Sequence, residues 1–368
     1  MKEGYVRKSI NEICDKASSN IAQNKIVGID GDYPVYGASG YVQNIDFYHR
    51  DTDYIGIVKD GSGVGRVNIY PAFSSLLGTM QYIIPKEGYL LGYIAYALKG
   101  LNLSSFASGA AIPHIYFKDY GKCKINVPPL AEQERIVAEL DLLSSIIDKK
   151  KAQLKELDQL AQSIFYDMFG DPITNEKGWE VKKLSDICEK ITDGTHDTPK
   201  RLDVGVKFIT GKHIRPFFID YDNSDYVAEE VHNEIYKRCN PEYGDVLYTN
   251  IGAGIGNAAL NVVEYEFSMK NVALLKLKKN SIIGYFVVHF LNDDKMKSNI
   301  IENHSNGGAQ RFLSLKAISK IKIPLPPLPL QQEFASKIEA IERQKSLIQQ
   351  SIVETQTLFD SRMDHWFG

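Results

Sequence analysis

Two short segments of the sequence contain residue types that could carry out chemistry on a nucleotide or a nucleic acid. The first, residues 240–243, reads Asn-Pro-Glu-Tyr and partly matches the Asn-Pro-Pro-Tyr/Phe segment of amino-methyltransferases. The second proline of that segment is missing, and no glycine-rich strand–turn–helix segment for a methyl-donor nucleotide precedes it. The sequence therefore favours a turn that leads into a strand at Asp245 over a methyltransferase site.

The second segment, around Lys212, differs from a phosphate-binding P-loop in its spacing. Five residues separate Gly205 from Gly211, where a P-loop has four, and His213 stands where a P-loop has the Ser or Thr that binds the metal ion. The eight histidines form no His-Glu-x-x-His motif, and the four cysteines form no Cys-x-x-Cys pair. We therefore expect no catalytic residue, no metal site and buried free thiols, and a binding function is favoured over an enzymatic one.

Two kinds of glycine-rich loop each occur twice along the chain. Residues 60–66 (Asp-Gly-Ser-Gly-Val-Gly-Arg) match residues 251–257 (Ile-Gly-Ala-Gly-Ile-Gly-Asn), and residues 107–114 match residues 305–312. Glycine lets the backbone approach a phosphate group closely, while neighbouring polar side chains can reach the edges of bases. Recurrence in both halves, beside different polar residues, points to DNA contact; a plain structural role as hairpin and loop is the alternative.

The candidate DNA ligands are polar and basic residues in these loops and on the strands near them. For any one of them, a solvated surface position is the competing interpretation. The candidates are Lys59, Ser62, Arg66, Ser108, His114, Lys200, Arg201, Lys207, Lys212, Arg215, Asn250, Asn257, Lys270, Asn306, Gln310 and Arg311.

The elements that must position these loops are themselves duplicated. Residues 124–130 (Lys-Ile-Asn-Val-Pro-Pro-Leu) match residues 322–328 (Lys-Ile-Pro-Leu-Pro-Pro-Leu) at an offset of 198 residues, and the same offset relates Gln133 to Gln331. The starts of the two halves match at an offset of 174 residues, so that the second half is longer by 24, which is 198 minus 174. This self-similarity predicts the chain order domain, helix, domain, helix.

Each Pro-Pro-Leu segment opens a long predicted helix with a heptad pattern of apolar residues. We predict that the two helices bury these stripes against each other as an antiparallel coiled coil, and the alternative is that each stripe packs on its own domain. The predicted interface residues are Ile136, Leu140, Leu143, Ile147, Leu154, Leu157, Ile164, Phe334, Ile338, Ile341, Ile348, Ile352 and Phe359.

Outside these helices, short runs of β-type residues punctuated by Gly and Asn predict twisted sheets, with short helices at residues 89–98 and 282–292. The predicted fold class is α+β: two β-rich domains joined by two long helices in an antiparallel coiled coil, with a pseudo-twofold internal repeat. The predicted boundaries are 1–127 for the first domain, 128–170 for the first helix, 171–326 for the second domain and 327–368 for the second helix.

Composition describes a soluble globular protein, with 43% hydrophobic and 24% charged residues. No apolar stretch is long enough for a membrane span, and residues 1–20 lack the apolar core of a signal peptide, so we expect a cytoplasmic protein without a membrane partner. The net charge of −3 leaves two possibilities for a DNA-binding protein. Either a local basic surface is offset by acidic residues elsewhere, or partner subunits supply many of the phosphate contacts.

The order and duplication of these features resemble the specificity subunits of type I restriction–modification systems. The resemblance covers essentially the whole chain. It rests on the Pro-Pro-Leu…Gln segments that open heptad helices ending in Phe-Gly, on the domain opening at residues 178–188, and on residues 108–113 and 306–312. The first domain departs from the family pattern, because it opens with Gly4 and Tyr5 and lacks the usual tryptophan.

The resemblance implies that each domain is a target-recognition domain for one half of a bipartite double-stranded DNA target, with the coiled coil setting the spacer. It implies two methyltransferase subunits as partners, leaves open whether translocase–endonuclease subunits join, and places S-adenosylmethionine, ATP and Mg²⁺ on partner subunits, with no cofactor in this chain. The alternatives are a single-chain DNA-modifying enzyme with unrecognised motifs and a coiled-coil assembly protein.

Overall fold

The computed structural model describes residues 4–109, 112–305 and 311–368. The chain forms two compact units: unit 1 contains Met1–Ala152 and Gln349–Gly368, and unit 2 contains Gln153–Ile348. Each of the two long helices begins in one unit and ends in the other. Within the described ranges, no helix combines the length and the apolar character needed to cross a lipid bilayer.

The first domain consists of short strands and helices that precede the first long helix. Its described strands are β1 (Val6–Ser9), β2 (Cys14–Ser18), β3 (Tyr33–Gly37), β4 (Gly40–Ile45), β5 (Tyr54–Val58), β6 (Val67–Tyr70), β7 (Ser75–Leu76), β8 (Met80–Pro85) and β9 (Lys124–Val127). Its described helices are α1 (Ile10–Ile13), α2 (Leu91–Gly100), α3 (Phe117–Tyr120) and the long helix α4 (Leu130–Phe169).

The second domain follows the same plan and ends in the second long helix. Its described strands are β10 (Glu180–Lys183), β11 (Cys188–Asp193), β12 (Val206–Thr210), β13 (Ile214–Arg215), β14 (Phe218–Ile219), β15 (Asp225–Val227), β16 (Val246–Tyr248), β17 (Ala258–Leu260), β18 (Ser268–Lys270), β19 (Ala273–Leu277) and β20 (Lys322–Leu325). Its described helices are α5 (Leu184–Ile187), α6 (Glu229–Arg238), α7 (Gly284–Asn292), α8 (Asp294–His304), α9 (Leu315–Ser319) and the long helix α10 (Leu328–Phe367).

The two domains share one sheet topology. A four-stranded sheet has the order β2-β8-β5-β6 in the first domain and β11-β19-β16-β17 in the second. A three-stranded sheet has the order β4-β3-β7 or β15-β12-β18, with one antiparallel and one parallel pair in each case. A two-stranded sheet joins the start of each domain to the strand before the long helix, β1-β9 or β10-β20. The predicted α+β fold with an internal repeat is confirmed.

The second domain is longer mainly because of an insertion between β12 and β16. The hairpin formed by β13 and β14 and the helix α6 lie there, and the described part of the first domain has neither element between β3 and β5. The short helices predicted at residues 89–98 and 282–292 are α2 and α7, and each begins two residues later than predicted. Leu90 precedes α2 and Ile283 precedes α7. Both residues have an extended backbone, so each helix begins at the next residue.

A buried glutamine fixes each long helix to its own domain. The side-chain carbonyl of Gln133 accepts a hydrogen bond from the backbone N–H of Leu90 at 2.9 Å, and its amide donates to the carbonyl of Pro128 at 3.0 Å. In the second domain, Gln331 makes the corresponding bonds with the N–H of Ile283 at 2.9 Å and the carbonyl of Pro326 at 2.8 Å. Both glutamines are shielded from water, so these bonds satisfy backbone groups that would otherwise be buried without a partner.

In unit 1, the first half of α4 packs against the last half of α10. Glu139 forms an ion pair with Arg362, while Lys150 donates to the backbone carbonyl of Ser351 at 3.4 Å and to the hydroxyl of Thr355 at 3.3 Å. Residues later in α4 contact residues earlier in α10, so the two segments are antiparallel. Trp366 near the end of α10 joins the hydrophobic core of the first domain.

In unit 2, the last half of α4 packs against the first half of α10, again in antiparallel fashion. Asp158 pairs with Lys345 at 2.8 Å, and the ring of Phe169 lies 5.1 Å from that of Phe334. Phe334 and Ile338 also belong to the core of the second domain. The predicted packing of the two long helices is confirmed, and the alternative also holds in part, since the stripes pack on the domains as well as on each other.

None of the predicted interface residues is exposed. Buried are Ile136, Leu140, Leu143, Ile147, Phe334, Ile338, Ile341 and Ile352, and partly buried are Leu154, Leu157, Ile164, Ile348 and Phe359. The heptad pattern misses the buried Phe165 and Phe169 and follows Ile164 instead. An α-helix has 3.6 residues per turn and drifts by about 20° per heptad from a strict 3.5-residue repeat, so the buried stripe moves by one residue towards the end of α4.

Candidate nucleic-acid interface

The glycine-rich loops at residues 60–66 and 251–257 share their backbone hydrogen bonds and the left-handed conformation of their first and last glycines, whereas the middle glycine is left-handed only at Gly63. The N–H of Gly65 donates to the carbonyl of Val58 at 2.8 Å, and the N–H of Gly256 donates to the carbonyl of Thr249 at the same distance. Gly65 and Gly256 have φ angles of 86° and 84°, in the left-handed region where a side chain is unfavourable. The recurring glycines therefore fix one tight turn in both domains.

In the first domain, the structure places the second predicted loop beside the first. The N–H of Gly61 donates to the carbonyl of Pro113 at 2.9 Å, and the N–H of Ile115 donates to the carbonyl of Lys59 at 3.0 Å. Asp60 and His114 form an isolated β-bridge, and their side chains are in contact. The two loops thus form one continuous surface of the first domain.

The second domain brings together the equivalent segments. The N–H of Leu313 donates to the carbonyl of Asn250 at 2.8 Å, and Ile251 forms a β-bridge with Phe312. Residues 110–111 and 306–310 of these loops lie outside the described residues, and with them the predicted ligands Asn306 and Gln310. The pairing of the two loop types is therefore a repeated feature of the fold.

The remaining predicted DNA ligands differ in how far they reach the solvent. Exposed are Ser62, Arg66, Ser108, Lys200, Arg201, Lys212, Arg215 and Arg311; partly buried are Lys59, His114, Lys207 and Lys270; buried are Asn250 and Asn257. The exposed residues are the ones whose side chains are available to another molecule.

The buried asparagines use their side chains within the domain. The amide of Asn257 donates to the carbonyl of Ile214 at 3.1 Å, and its carbonyl accepts from the ammonium of Lys297 at 2.5 Å. The amide of Asn250 donates to the carbonyl of Leu313 at 3.4 Å. The structure therefore assigns both residues to holding the loops in place, whereas the sequence pattern made them DNA ligands.

The side chain of Lys207 also makes its contacts within the domain. Its ammonium donates to the backbone carbonyl of Tyr221 at 2.7 Å and lies 5.5 Å from the centre of the ring of Tyr226. Lys270 donates to the hydroxyl of Thr198. Their charge predicts both lysines as DNA ligands, but their ammonium groups already have partners on the domain.

A third segment contacts the glycine-rich loop in both domains and was not recognised from the sequence. The guanidinium of Arg66 donates to the carbonyl of Ala38, in the turn after β3, at 2.9 Å. The corresponding residue Asn257 donates to the carbonyl of Ile214, in the segment after β12. The only sequence signal for this contact was the shared position of Arg66 and Asn257 at the end of their loops.

Acidic residues neutralise part of the positive charge near the loops. Arg201 and Lys212 both form ion pairs with Asp225, at 2.9 and 3.1 Å, and Lys59 lies 3.9 Å from a carboxylate oxygen of Asp60. In the described part of the chain, no carboxylate lies within 4.0 Å of the charged groups of three exposed arginines. These are Arg66, Arg215 and Arg311. These ion pairs neutralise only part of the positive charge of the candidate surface, and three arginines there carry no such pair.

The segments that resemble catalytic motifs have structural roles. The Asn-Pro-Glu-Tyr segment forms the predicted turn before β16, where the N–H of Asp245 donates to the carbonyl of Glu242 at 3.1 Å. All four cysteines are free, and burial raises the pKa of the thiols of Cys14 and Cys188 to about 12. A thiol with so high a pKa is protonated near neutral pH and a poor nucleophile.

Comparisons with protein-family models and with known proteins point to the same family. Residues 2–159 and 176–356 each match the type I restriction modification DNA specificity domain. The MjaIX specificity subunit of Methanocaldococcus jannaschii is 25% identical over 285 residues, and the EcoBI specificity subunit of Escherichia coli is 22% identical over 289 residues. Each alignment covers 70% of this chain, and the chain spans 64% and 60% of the length of these two relatives.

A solved structure shares the fold over nearly the whole chain. The S subunit of a type I restriction–modification system from M. genitalium has a TM-score of 0.66 at 16% identity, covering 99% of this chain and 96% of its own. The repeated domain match and the repeated sheet topology together show that this chain belongs to the type I restriction–modification DNA specificity family.

Proposed function

We propose that this chain is the DNA sequence-recognition subunit of a type I restriction–modification complex, and that each domain reads one half of a bipartite double-stranded DNA target. One observation carries the proposal: in two domains of the same topology, the described parts of the same two segments pair with each other and expose different side chains. A shared backbone supports the same docking on a duplex, and different side chains support recognition of different bases.

The exposed loop residues can make two kinds of contact: contacts with phosphates, which position the domain on DNA, and contacts with base edges, which read the sequence. In the first domain Ser62, Arg66 and Ser108 are exposed on the two loops, and in the second domain Arg311 is exposed beside Phe312. Arginine can bind a phosphate as well as the edge of a guanine through paired hydrogen bonds, and serine can bond to either partner. The two half-sites are therefore expected to differ in sequence.

We further propose that two methyltransferase subunits dock on this chain and carry the chemistry, with S-adenosylmethionine, ATP and Mg²⁺ bound by partner subunits. The net charge of −3 supports this, because binding of a single chain to DNA depends on an excess of Lys and Arg at the phosphates. Translocase–endonuclease subunits are additional candidate partners. On this proposal the chain itself is not an enzyme and acts in the cytoplasm.

The long helices are proposed to set the spacer between the half-sites. Each helix is 40 residues long and has residues in both units. On this proposal, the length of the helices determines the length of the spacer. Deleting one heptad from both antiparallel partners within unit 1, residues 146–152 and 349–355, should change the preferred spacer and leave both half-sites unchanged. Unchanged spacer preference in that double deletion would count against this role.

The proposal is tested by DNA footprinting with the purified chain, alone and with its methyltransferase subunits. Alone, the chain is expected to protect no specific sequence. With the methyltransferase subunits, protection should cover two separated short sequences. Methylation or cleavage of DNA by the chain alone would indicate an enzyme instead, and a complete complex that protects no specific sequence would indicate an assembly protein.

A further inference from the structure

The hairpin formed by β13 and β14 distinguishes the second domain at the place where its glycine-rich loop is anchored. In the first domain, the corresponding contact of Arg66 is made to a two-residue turn, Ala38 and Ser39, between β3 and β4. In the second domain, the chain instead continues through a single-turn helix at Gly211–His213 and then forms the hairpin. The insertion therefore lies directly beside the candidate DNA-binding loop.

The hairpin is firmly attached to the domain. Ile214 and Ile219 face each other across the two strands, and both are buried in a hydrophobic core with Leu247 and Ala259. The backbone carbonyl of Ile214 also accepts the hydrogen bond from Asn257 at the end of the glycine-rich loop. Movement of the hairpin and movement of the loop are therefore coupled through these contacts.

The tip of the hairpin holds a strained residue. Phe217 has a φ angle of 67°, a conformation that costs a residue with a bulky side chain on the order of 1–2 kcal/mol. Two contacts hold it there: its N–H donates to the carbonyl of Ala258 at 2.9 Å, and its ring lies 4.7 Å from that of His289. Such strain is kept where the surroundings impose it, and it is concentrated at functional sites.

The two strand residues that flank the turn are exposed and adjacent. Phe218 pairs directly with Arg215 across the hairpin, and 58% of the surface of Phe218 is exposed. In the described part of the chain, Arg215 has no ion-pair partner, whereas the nearby Arg201 and Lys212 share Asp225. The tip thus presents an apolar ring beside an exposed guanidinium that forms no ion pair with the described residues, although its charge contributes to lowering the pKa of the Asp220 carboxyl.

An exposed ring beside an exposed guanidinium matches the surface of a DNA duplex. The guanidinium can bind a phosphate oxygen or a guanine edge, and a phenyl ring can contact a thymine methyl group or the face of a base at a deformed step. We propose that the β13–β14 hairpin is a third DNA-contacting segment, and that Phe218 and Arg215 determine specificity in the half-site read by the second domain only. This inference rests on the proposed function.

The test uses the complete complex with its methyltransferase subunits and a library of duplexes randomised in both half-sites. Phe218→Ala and Arg215→Ala should each lower affinity for the preferred site by about 10-fold or relax base preference, in the second domain's half-site alone. Val262→Ala is the control, because Val262 is exposed just beyond β17, at the opposite end of that strand from the glycine-rich loop. It should remain within about twofold of the unmodified complex.

Phe218→Leu checks that the effect comes from the apolar contact, because leucine keeps an apolar side chain at the tip and should retain more of the base preference than alanine. Circular dichroism and thermal unfolding show whether each variant is folded. Unchanged affinity and base preference in folded Phe218→Ala and Arg215→Ala complexes would overturn the inference while leaving the proposed function intact. An unmodified complex without any sequence preference would overturn both.

Discussion

The ring of Phe165 on α4 lies 5.7 Å from the ring of Phe334 on α10, at an interplanar angle of 73°. Phe165 also stacks on Phe286 of α7, with ring centres 5.7 Å apart. These three rings join both long helices to the core of the second domain. This aromatic contact thus both pairs the helices in unit 2 and attaches them to the domain.

The position of Phe165 leads to a prediction for stability. Phe165→Ala should lower the free energy of unfolding by about 3–5 kcal/mol, because it removes a fully buried aromatic side chain and leaves a cavity. Ile164→Ala, at the adjacent position that the heptad pattern selects, should cost only about 1–2 kcal/mol, because Ile164 is partly exposed. Urea denaturation measures both, and the opposite ranking would show that the stripe does not shift along α4.

The buried glutamines lead to a second prediction. Gln331→Leu should destabilise the protein by about 2–3 kcal/mol, because the N–H of Ile283 and the carbonyl of Pro326 would stay buried without hydrogen-bond partners. Gln332→Leu is the matched control on the next position of α10, where the side chain is exposed. A thermal shift of the same size in both variants would mean that the hydrogen bonds of Gln331 are not important for stability.

His289 makes the stability of the second domain depend on pH. Its imidazole lies among the rings of Phe165, Phe217 and Phe334, and desolvation, with a smaller effect of the charge of Lys345, lowers its pKa from 6.5 to about 3. Below about pH 6.5 the unfolded chain therefore binds a proton that the folded chain does not. The free energy of unfolding falls with decreasing pH, by at most about 1.4 kcal/mol per pH unit for this group.

The corresponding experiment is urea denaturation between pH 6.5 and pH 5, above the range in which most carboxylates titrate. His289→Phe keeps an aromatic ring in the cluster and should flatten the pH dependence in this interval. Phe290→Leu, which changes a buried residue of the same helix that does not titrate, should keep the slope of the unmodified protein. An equally steep slope in His289→Phe would show that His289 is protonated in the folded domain.

The isolated arginines at the loops lead to a prediction for DNA binding. In the complex with methyltransferase subunits, Arg66→Ala should weaken binding by about 10-fold, through the first domain's half-site, and Arg311→Ala should do so through the second domain's half-site. Arg66→Lys keeps the charge, so a phosphate contact would survive this change while a paired contact with a base would not. Arg343→Ala on the exposed face of α10 is the control.

Fluorescence anisotropy at several salt concentrations separates the two kinds of contact. Loss of a phosphate contact should weaken all sequences alike and reduce the slope of log affinity against log salt by about one. Loss of a base contact should relax preference at one position and leave the slope nearly unchanged. Wild-type affinity and salt dependence in both alanine variants would exclude these loops as the DNA surface.

The features that could be predicted from the sequence depend on local signals. The first and last glycines of residues 60–66 and 251–257 mark left-handed backbone positions, and the Pro-Pro-Leu segments mark the starts of α4 and α10. Both features follow directly from residue type and spacing, and each of them occurs twice in the sequence. The repeated loops, the two helices and the α+β architecture therefore followed from the sequence.

The features that could not be predicted depend on distant partners. Asn257 is polar and lies in a glycine-rich loop, but only the fold shows that Ile214 and Lys297 occupy both ends of its amide. The neutralisation of Lys212 by Asp225 depends in the same way on how β12 pairs with β15. Long-range pairing of this kind leaves no periodic pattern in the sequence, so exposed and buried polar residues had looked alike.

The central claim is that the two domains read separate half-sites, and methylome sequencing tests it most directly. A host expressing this chain with its methyltransferase should show methylation at a two-part motif with a fixed, unspecified spacer. Replacing residues 178–325 with another recognition domain should change one part of the motif and leave the other part unchanged. A continuous motif, or a replacement that alters both parts together, would contradict the account.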